Sequence, residues 1–196
     1  MTNKIERVQE IRVLTSPLRQ EIIDTIEARG GETTVSELAS ELGRPADGLY
    51  YHLKLLAKSG LLVELPGRNS DGRAERRYQV RKRREGPLTL EYRPKDRQNR
   101  KAVGGVIDQM VRIAARDFHR AFAREAIVVD GPRRELWAAR SKGWVSEAEL
   151  EAINRLLRRL NRKLRHRRSG SRDRLISVCF VLAPVQPKAT RRKPAG

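Results

Sequence analysis

The chain has 196 residues, 38% of them hydrophobic, and its 43 Lys+Arg against 24 Asp+Glu give a formal net charge of +19. That length suits one large or two small domains with modest cores. No run approaches the roughly 18 consecutive apolar residues of a membrane span. The start, MTNKIERVQEIRVL, alternates charge with aliphatics, so a secretory signal is not expected. The one cysteine, Cys179, leaves no intrachain disulfide and fits a reducing cytosol.

The charge is unevenly spread. Residues 1–80 hold 12 Lys+Arg and 12 Asp+Glu, and residues 81–196 hold the other 31 Lys+Arg and 12 Asp+Glu. All of the excess therefore lies in the second part. A balance this basic points to a polyanionic partner, either nucleic acid or an anionic membrane surface.

Residues 4–14 read as a first helix, with Ile5, Val8, Ile11 and Leu14 at helical spacing. Ser16 is an N-cap type and Pro17 suits the first position of a second helix. That helix carries Leu18, Ile22, Ile23 and Ile26 on one face and ends at Gly30-Gly31. Val35, Leu38, Ala39 and Leu42 mark a third helix, stopped by Gly43. Pro45 opens a fourth, which runs to about Ser59 and is closed by Gly60. Residues 61–65 and 76–80 then read as two short strands joined by the turn-rich PGRNSDGRAE, a hairpin pattern.

RKRREGP, residues 81–87, marks a boundary. Residues 88–92 alternate like a strand, and Asp96 suits the cap of a long helix over 97–125. Its stripe is Val103, Ile107, Met110, Ala114, Phe118 and Ala121. Residues 135–144 are ambiguous, with a strand as one reading. Ser146 and Glu149 form a capping-box pattern that starts a helix to about Arg168. Leu150, Ile153, Leu157, Leu160 and Leu164 follow a heptad seam. Residues 175–183, LISVCFVLA, read as a buried strand, and the Pro-, Lys- and Arg-rich tail over 186–196 as disordered.

The informative stretch is 34–62. It reads as two short helices joined by a tight turn, the layout of a helix-turn-helix, and a hairpin directly after the second helix is the wing of a winged helix. On the fourth helix, Leu49, Leu53 and Leu56 lie on the core side. At about 100° per residue, Asp47, Gly48, Tyr51, Lys54 and Lys58 point away from it. Gly48 allows close approach to DNA. Lys54 and Lys58 suit phosphates, which position without reading sequence. Tyr50 and Tyr51 offer hydroxyl and thymine-methyl contacts, and Asp47 can accept from cytosine N4. No Arg, Asn or Gln lies between Pro45 and Ser59, so the strongest bidentate base readers are missing, with Arg44 in the turn the nearest. An ordinary helical hairpin in a core is the competing reading, and the hairpin signal outweighs it.

SPLRQEIIDTI (16–26), VSELASELG (35–43), LYYHLKLLAKSGLL (49–62) and GRAERRYQV (72–80) together resemble the ArsR-type winged helix-turn-helix regulators of bacteria. The resemblance covers residues 10–82. It implies a dimeric transcription regulator, usually a repressor, whose fourth helix reads DNA and whose wing follows the adjacent backbone. By the same match Arg68, Arg73, Arg76 and Arg77 are wing candidates. Strand alternation keeps Arg76 and Arg77 from facing DNA together. Each of them is equally well read as a solvated surface charge.

Metal-sensing relatives carry a cysteine pair in the third helix, and VSELASELG has neither Cys nor His, so metal sensing there is excluded. His52, in the slot of the family's common His, reads as a packing or hydrogen-bonding residue. Three scattered His and one Cys make no zinc pattern. Cys179 reads as a buried small hydrophobe rather than a redox sensor. Arg155, Arg158, Arg159, Arg162, Lys163, Arg165, Arg167 and Arg168 cover the other side of the leucine seam. They are read as extra phosphate contacts, as a face for an anionic membrane, or as a solvated face, and the absence of Trp and Phe on this helix argues against membrane insertion. No G-x-S-x-G, H-E-x-x-H, Walker A or Rossmann fingerprint is present, so no enzyme is expected. Gly104-Gly105 reads as close helix packing.

The expected architecture is mainly α with α+β character. A winged helix-turn-helix over 1–84 precedes a small β-α-β-α-β domain over 85–185 for dimerisation or effector sensing. The expected partners are double-stranded DNA and a second copy, with an unidentified small-molecule effector left open. No cofactor, metal or membrane is expected, and the site of action is the cytoplasm, on the nucleoid. The rivals are a nucleic-acid binder without sequence preference and a winged-helix protein-interaction module.

Overall fold

The computed structural model describes residues 3–68, 72, 74–81, 88–164, 171 and 173–185. The expected disordered tail over 186–196 lies outside these residues. In chain order the elements are β1 (Asn3–Ile5), α1 (Val8–Val13), α2 (Pro17–Ala28), β2 (Glu32–Thr34), α3 (Val35–Leu42), α4 (Asp47–Lys58), β3 (Leu62–Arg68), β4 (Ala74–Val80), β5 (Leu88–Leu90), α5 (Arg97–Phe122) and α6 (Glu147–Lys163). The fold is mixed helix and strand.

The second, third and fourth helices form where apolar spacing and stop signals put them. Pro17 opens α2 and Gly43, at φ 60°, ends α3 in the left-handed region that glycine tolerates. Thr34 caps α3 through a capping box with Glu37. β3 and β4 pair antiparallel from Leu62↔Val80 to Arg68↔Ala74. A short strand absent from the local pattern, β2, lines the other edge of β4, with Thr33 opposite Tyr78. Burial gathers Ile11, Ile22, Ile26, Leu38, Leu53 and Leu56 into one core.

The first expected helix is corrected. Residues 3–5 form β1, parallel to β5 with Ile5 opposite Leu90, and the helix begins only at Val8. The strand partner lies more than eighty residues away, so local spacing carries no sign of it.

The same pairing alters the second part. β5 hydrogen-bonds to the chain's first strand, across the boundary drawn at 84/85. α5 lies on α1 and α2, and its Ala102 and Val106 enter the shared core. Gln20 Nε2 donates to Leu14 O at 2.7 Å and to Val106 O at 3.0 Å. Arg116 grips both oxygens of Glu21, at 3.1 and 2.7 Å. A Cβ on Gly105 would stand 3.1 Å from Thr15 Cγ2, so this glycine marks close helix packing, whereas Gly104 faces open space.

The expected β-α-β-α-β arrangement over 85–185 does not form. Residues 135–144 and 175–183 contain no strand. Trp144 is 91% and Leu175 81% exposed, and Cys179 is half-buried rather than enclosed. An apolar run becomes a strand only where another strand takes its backbone N–H and C=O groups, and none of the described strands does so here. α5 ends at Phe122 and α6 at Lys163, a little short of the expected 125 and 168, and residues 165–168 lie outside the described ones.

Candidate nucleic-acid interface

The turn between α3 and α4 is short. Gly43 reverses the chain, Arg44 and Pro45 follow, and α4 begins at Asp47. Leu49, Leu53 and Leu56 are each fully buried, which fixes the rotation of α4. The opposite side is bare. Asp47, Gly48, Tyr50, Tyr51, Lys54 and Lys58 are all exposed, as is Arg44 at the turn. A Cβ at Gly48 would meet nothing within 4 Å, so the fold itself does not require glycine there. The outward side of α4 thus presents two ammonium groups, two phenols and one carboxylate.

α3 is braced from several sides. Arg29 holds both Glu37 and Glu41. Glu37 Oε2 accepts from Thr34 N at 2.9 Å and from Thr33 Oγ1 at 2.8 Å. Burial alone would raise the Glu37 carboxyl. The bonds from Thr34 and Thr33 and the charges of Arg29 and Arg77 outweigh it and hold the group below the usual glutamate range. Glu75, on β4, accepts from both Ser36 N (2.8 Å) and Ser36 Oγ (2.7 Å), which ties the hairpin to the N-terminus of α3.

The hairpin arginines differ in how they are held. Arg68 Nη1 donates to Gly72 O at 3.0 Å and closes the tip. Arg76, exposed, pairs with Glu64 at 2.8 Å, while Arg77, half-buried, pairs with Glu32 of β2 at 2.7 Å. The two therefore sit on opposite sides of β4, with Arg76 facing outward. Arg73 lies outside the described residues.

One basic residue near this surface escaped the sequence reading. Arg19, on α2, bonds through Nε to Val13 O, and its charge acts on both Tyr51 and His52. The linear pattern places Arg19 only on the polar side of α2, and the crossing of α2 and α4 brings it to α4. His52 is half-buried, its ring edge-on to Tyr51 at 5.4 Å. Burial, then the positive charges of Arg19 and Arg44, push its imidazole below the ordinary histidine value.

A bare face on the second of two helices joined by a tight turn, with a hairpin braced beside them, is the form of a DNA-reading unit. Residues 14–64 match the family model of a helix-turn-helix domain. The chain carries a helix-turn-helix DNA-binding domain. No curated protein matches the chain. The helix-turn-helix match covers all of α2, β2, α3 and α4 and the start of β3, so the exposed face of α4 lies within it. No described helix is long and apolar enough to cross a membrane.

Proposed function

We propose that this helix-turn-helix protein is a sequence-specific transcription regulator of the ArsR-like winged-helix type. It acts as a repressor and as a homodimer on double-stranded DNA in the cytoplasm, and it catalyses nothing. The observation that carries this reading is the outward side of α4. Its apolar side is fully buried while Asp47, Tyr50, Tyr51, Lys54 and Lys58 stand free of the core. Tyr50, Tyr51 and Asp47 supply readout, Lys54 and Lys58 grip phosphate, and Gly48 lets the helix approach. The β3–β4 hairpin serves as the wing, with Arg68 and Arg76 toward the DNA backbone and Arg73 kept as a candidate from the sequence alone. Two copies related by a two-fold axis would read half-sites about one helical turn apart. Metal sensing through the third-helix cysteine pair is no part of the function, because α3 has neither Cys nor His.

The charge distribution favours a second reading, binding without sequence preference, because the entire +19 lies beyond residue 80. Competition separates the two. The protein is titrated onto the DNA upstream of its own gene with bulk competitor present. Retained binding and a discrete footprint support the regulator, and loss of all binding to an equal mass of competitor overturns it.

A further inference from the structure

The proposed dimer leaves open which surface joins the copies, and α6 carries an answer that rests on that reading. α6 is a well-started helix. Ser146 Oγ accepts from Glu149 N at 3.3 Å, and Glu149 Oε2 accepts from Ser146 N at 2.7 Å. Yet none of its residues is buried. Its two sides are cleanly divided. Ile153, Leu157, Leu160 and Leu164 are half-buried along one side, and Arg155, Arg158, Arg159, Arg162 and Lys163 are exposed on the other. Leu150, 41% exposed, opens the apolar side, and Leu156 breaks the division. Leu156 is 64% exposed at the border of the two sides.

Charge is also divided along the helix. Glu147, Glu149 and Glu151 occupy the first turns and every later charge is basic. A parallel pair would set acid beside acid and base beside base, whereas an antiparallel pair sets each acidic start against a basic end.

We propose that α6 pairs antiparallel with α6 of a second copy, about a two-fold axis that passes at Leu156. In the heptad whose seam is Leu150, Ile153, Leu157, Leu160 and Leu164, the flanking positions on one edge are Glu149, Leu156 and Lys163. Glu149 and Lys163 are each seven residues from Leu156. The antiparallel register therefore brings Glu149 of each copy to Lys163 of the other and Leu156 to its own counterpart. It also stacks Leu150 against Leu160 and Ile153 against Leu157 of the second copy. The exposed leucine and both ends of the charge gradient are accounted for together. Glu149 uses Oε2 for its cap, and its carboxyl is held below the ordinary range by the bonds from Ser146, so a charged oxygen remains for the lysine. The arginine side is left outward on both copies.

The test is cysteine cross-linking in the full chain with Cys179→Ser. Under mild oxidation Leu156→Cys should link to itself. Glu149→Cys should link to Lys163→Cys when the two proteins are mixed, and neither should link alone. Glu149→Cys keeps the half of the cap made by Ser146 Oγ. In a separate variant, Leu157→Lys should turn the dimer into a monomer by sedimentation with its helical circular dichroism unchanged, since no residue of α6 belongs to the core. Self-linking at 149 and at 163 overturns the antiparallel pair. A dimer that survives Leu157→Lys without the mixed link overturns the role of α6 and leaves the dimer standing. A monomeric parent chain at micromolar concentration overturns both.

Discussion

Gln20, on the second helix, donates from one amide nitrogen to Leu14 O and to Val106 O, and the second acceptor lies on α5, 86 residues further along the chain. Both hydrogens of the amide are thereby used in a buried setting, and α1, α2 and α5 are locked together. Removing the amide takes a donor from Leu14 O and the additional one from Val106 O, which keeps its bond within α5. Gln20→Ala is expected to cost about 1–3 kcal/mol, read as a lower urea midpoint at unchanged slope. An unaltered midpoint would mean that the amide contributes nothing.

Because α5 supplies Ala102 and Val106 to the core of the helix-turn-helix, a chain cut at residue 84 should expose the faces of α1 and α2 that α5 covers. A 1–84 fragment is expected to melt broadly and at lower temperature than a 1–124 fragment. Equal, sharp melting of the two by circular dichroism would show that the first 84 residues stand alone.

Gly48→Ala separates fold from recognition. Nothing lies within 4 Å of a methyl group placed there, and alanine is the better helix former by about 0.5–1 kcal/mol in a helix interior. The variant should be at least as stable as the parent and should bind operator DNA more weakly, because the methyl group would meet DNA and not protein. Undiminished affinity would remove Gly48 from the contact surface.

Lys54→Glu places a negative charge on the exposed side of α4 without touching its buried leucines. Affinity for DNA should fall by at least about tenfold, with the salt slope reduced by roughly one ion. Stability should stay within about 0.5 kcal/mol, as for exposed sites generally. Unchanged affinity would favour a protein partner for this face.

His52 supplies a pH dependence. Its folded pKa is depressed, by burial first and then by Arg19 and Arg44, so the unfolded chain binds its proton more readily. Stability is therefore greatest above the ordinary histidine value of about 6.5 and declines as pH falls through that region toward the folded pKa. His52→Gln should flatten this part of the curve in denaturant melts at pH 5.5–7.5, taken at about half-unit steps. An identical slope in the variant would place the titration elsewhere.

The helix-turn-helix was legible in the sequence because its signals are local. Proline, threonine and glycine mark the ends of α2 and α3, and leucines at helical spacing fix which side of α4 is inward. The same spacing identified the exposed Asp47, Tyr51, Lys54 and Lys58. The distribution of charge, the lack of Cys and His in α3 and the capping box of α6 also needed nothing beyond the order of residues. Tertiary structure decided what depends on distant partners. The pairing of residues 3–5 with 88–90, the insertion of β2 beside β4 and the burial of α5 against α1 each join segments whose local patterns do not mention one another. For the same reason LISVCFVLA, the most strand-like run in the chain, forms no strand. A helix closes its hydrogen bonds within itself and can be read from its own residues, whereas a strand exists only through the neighbour that completes it.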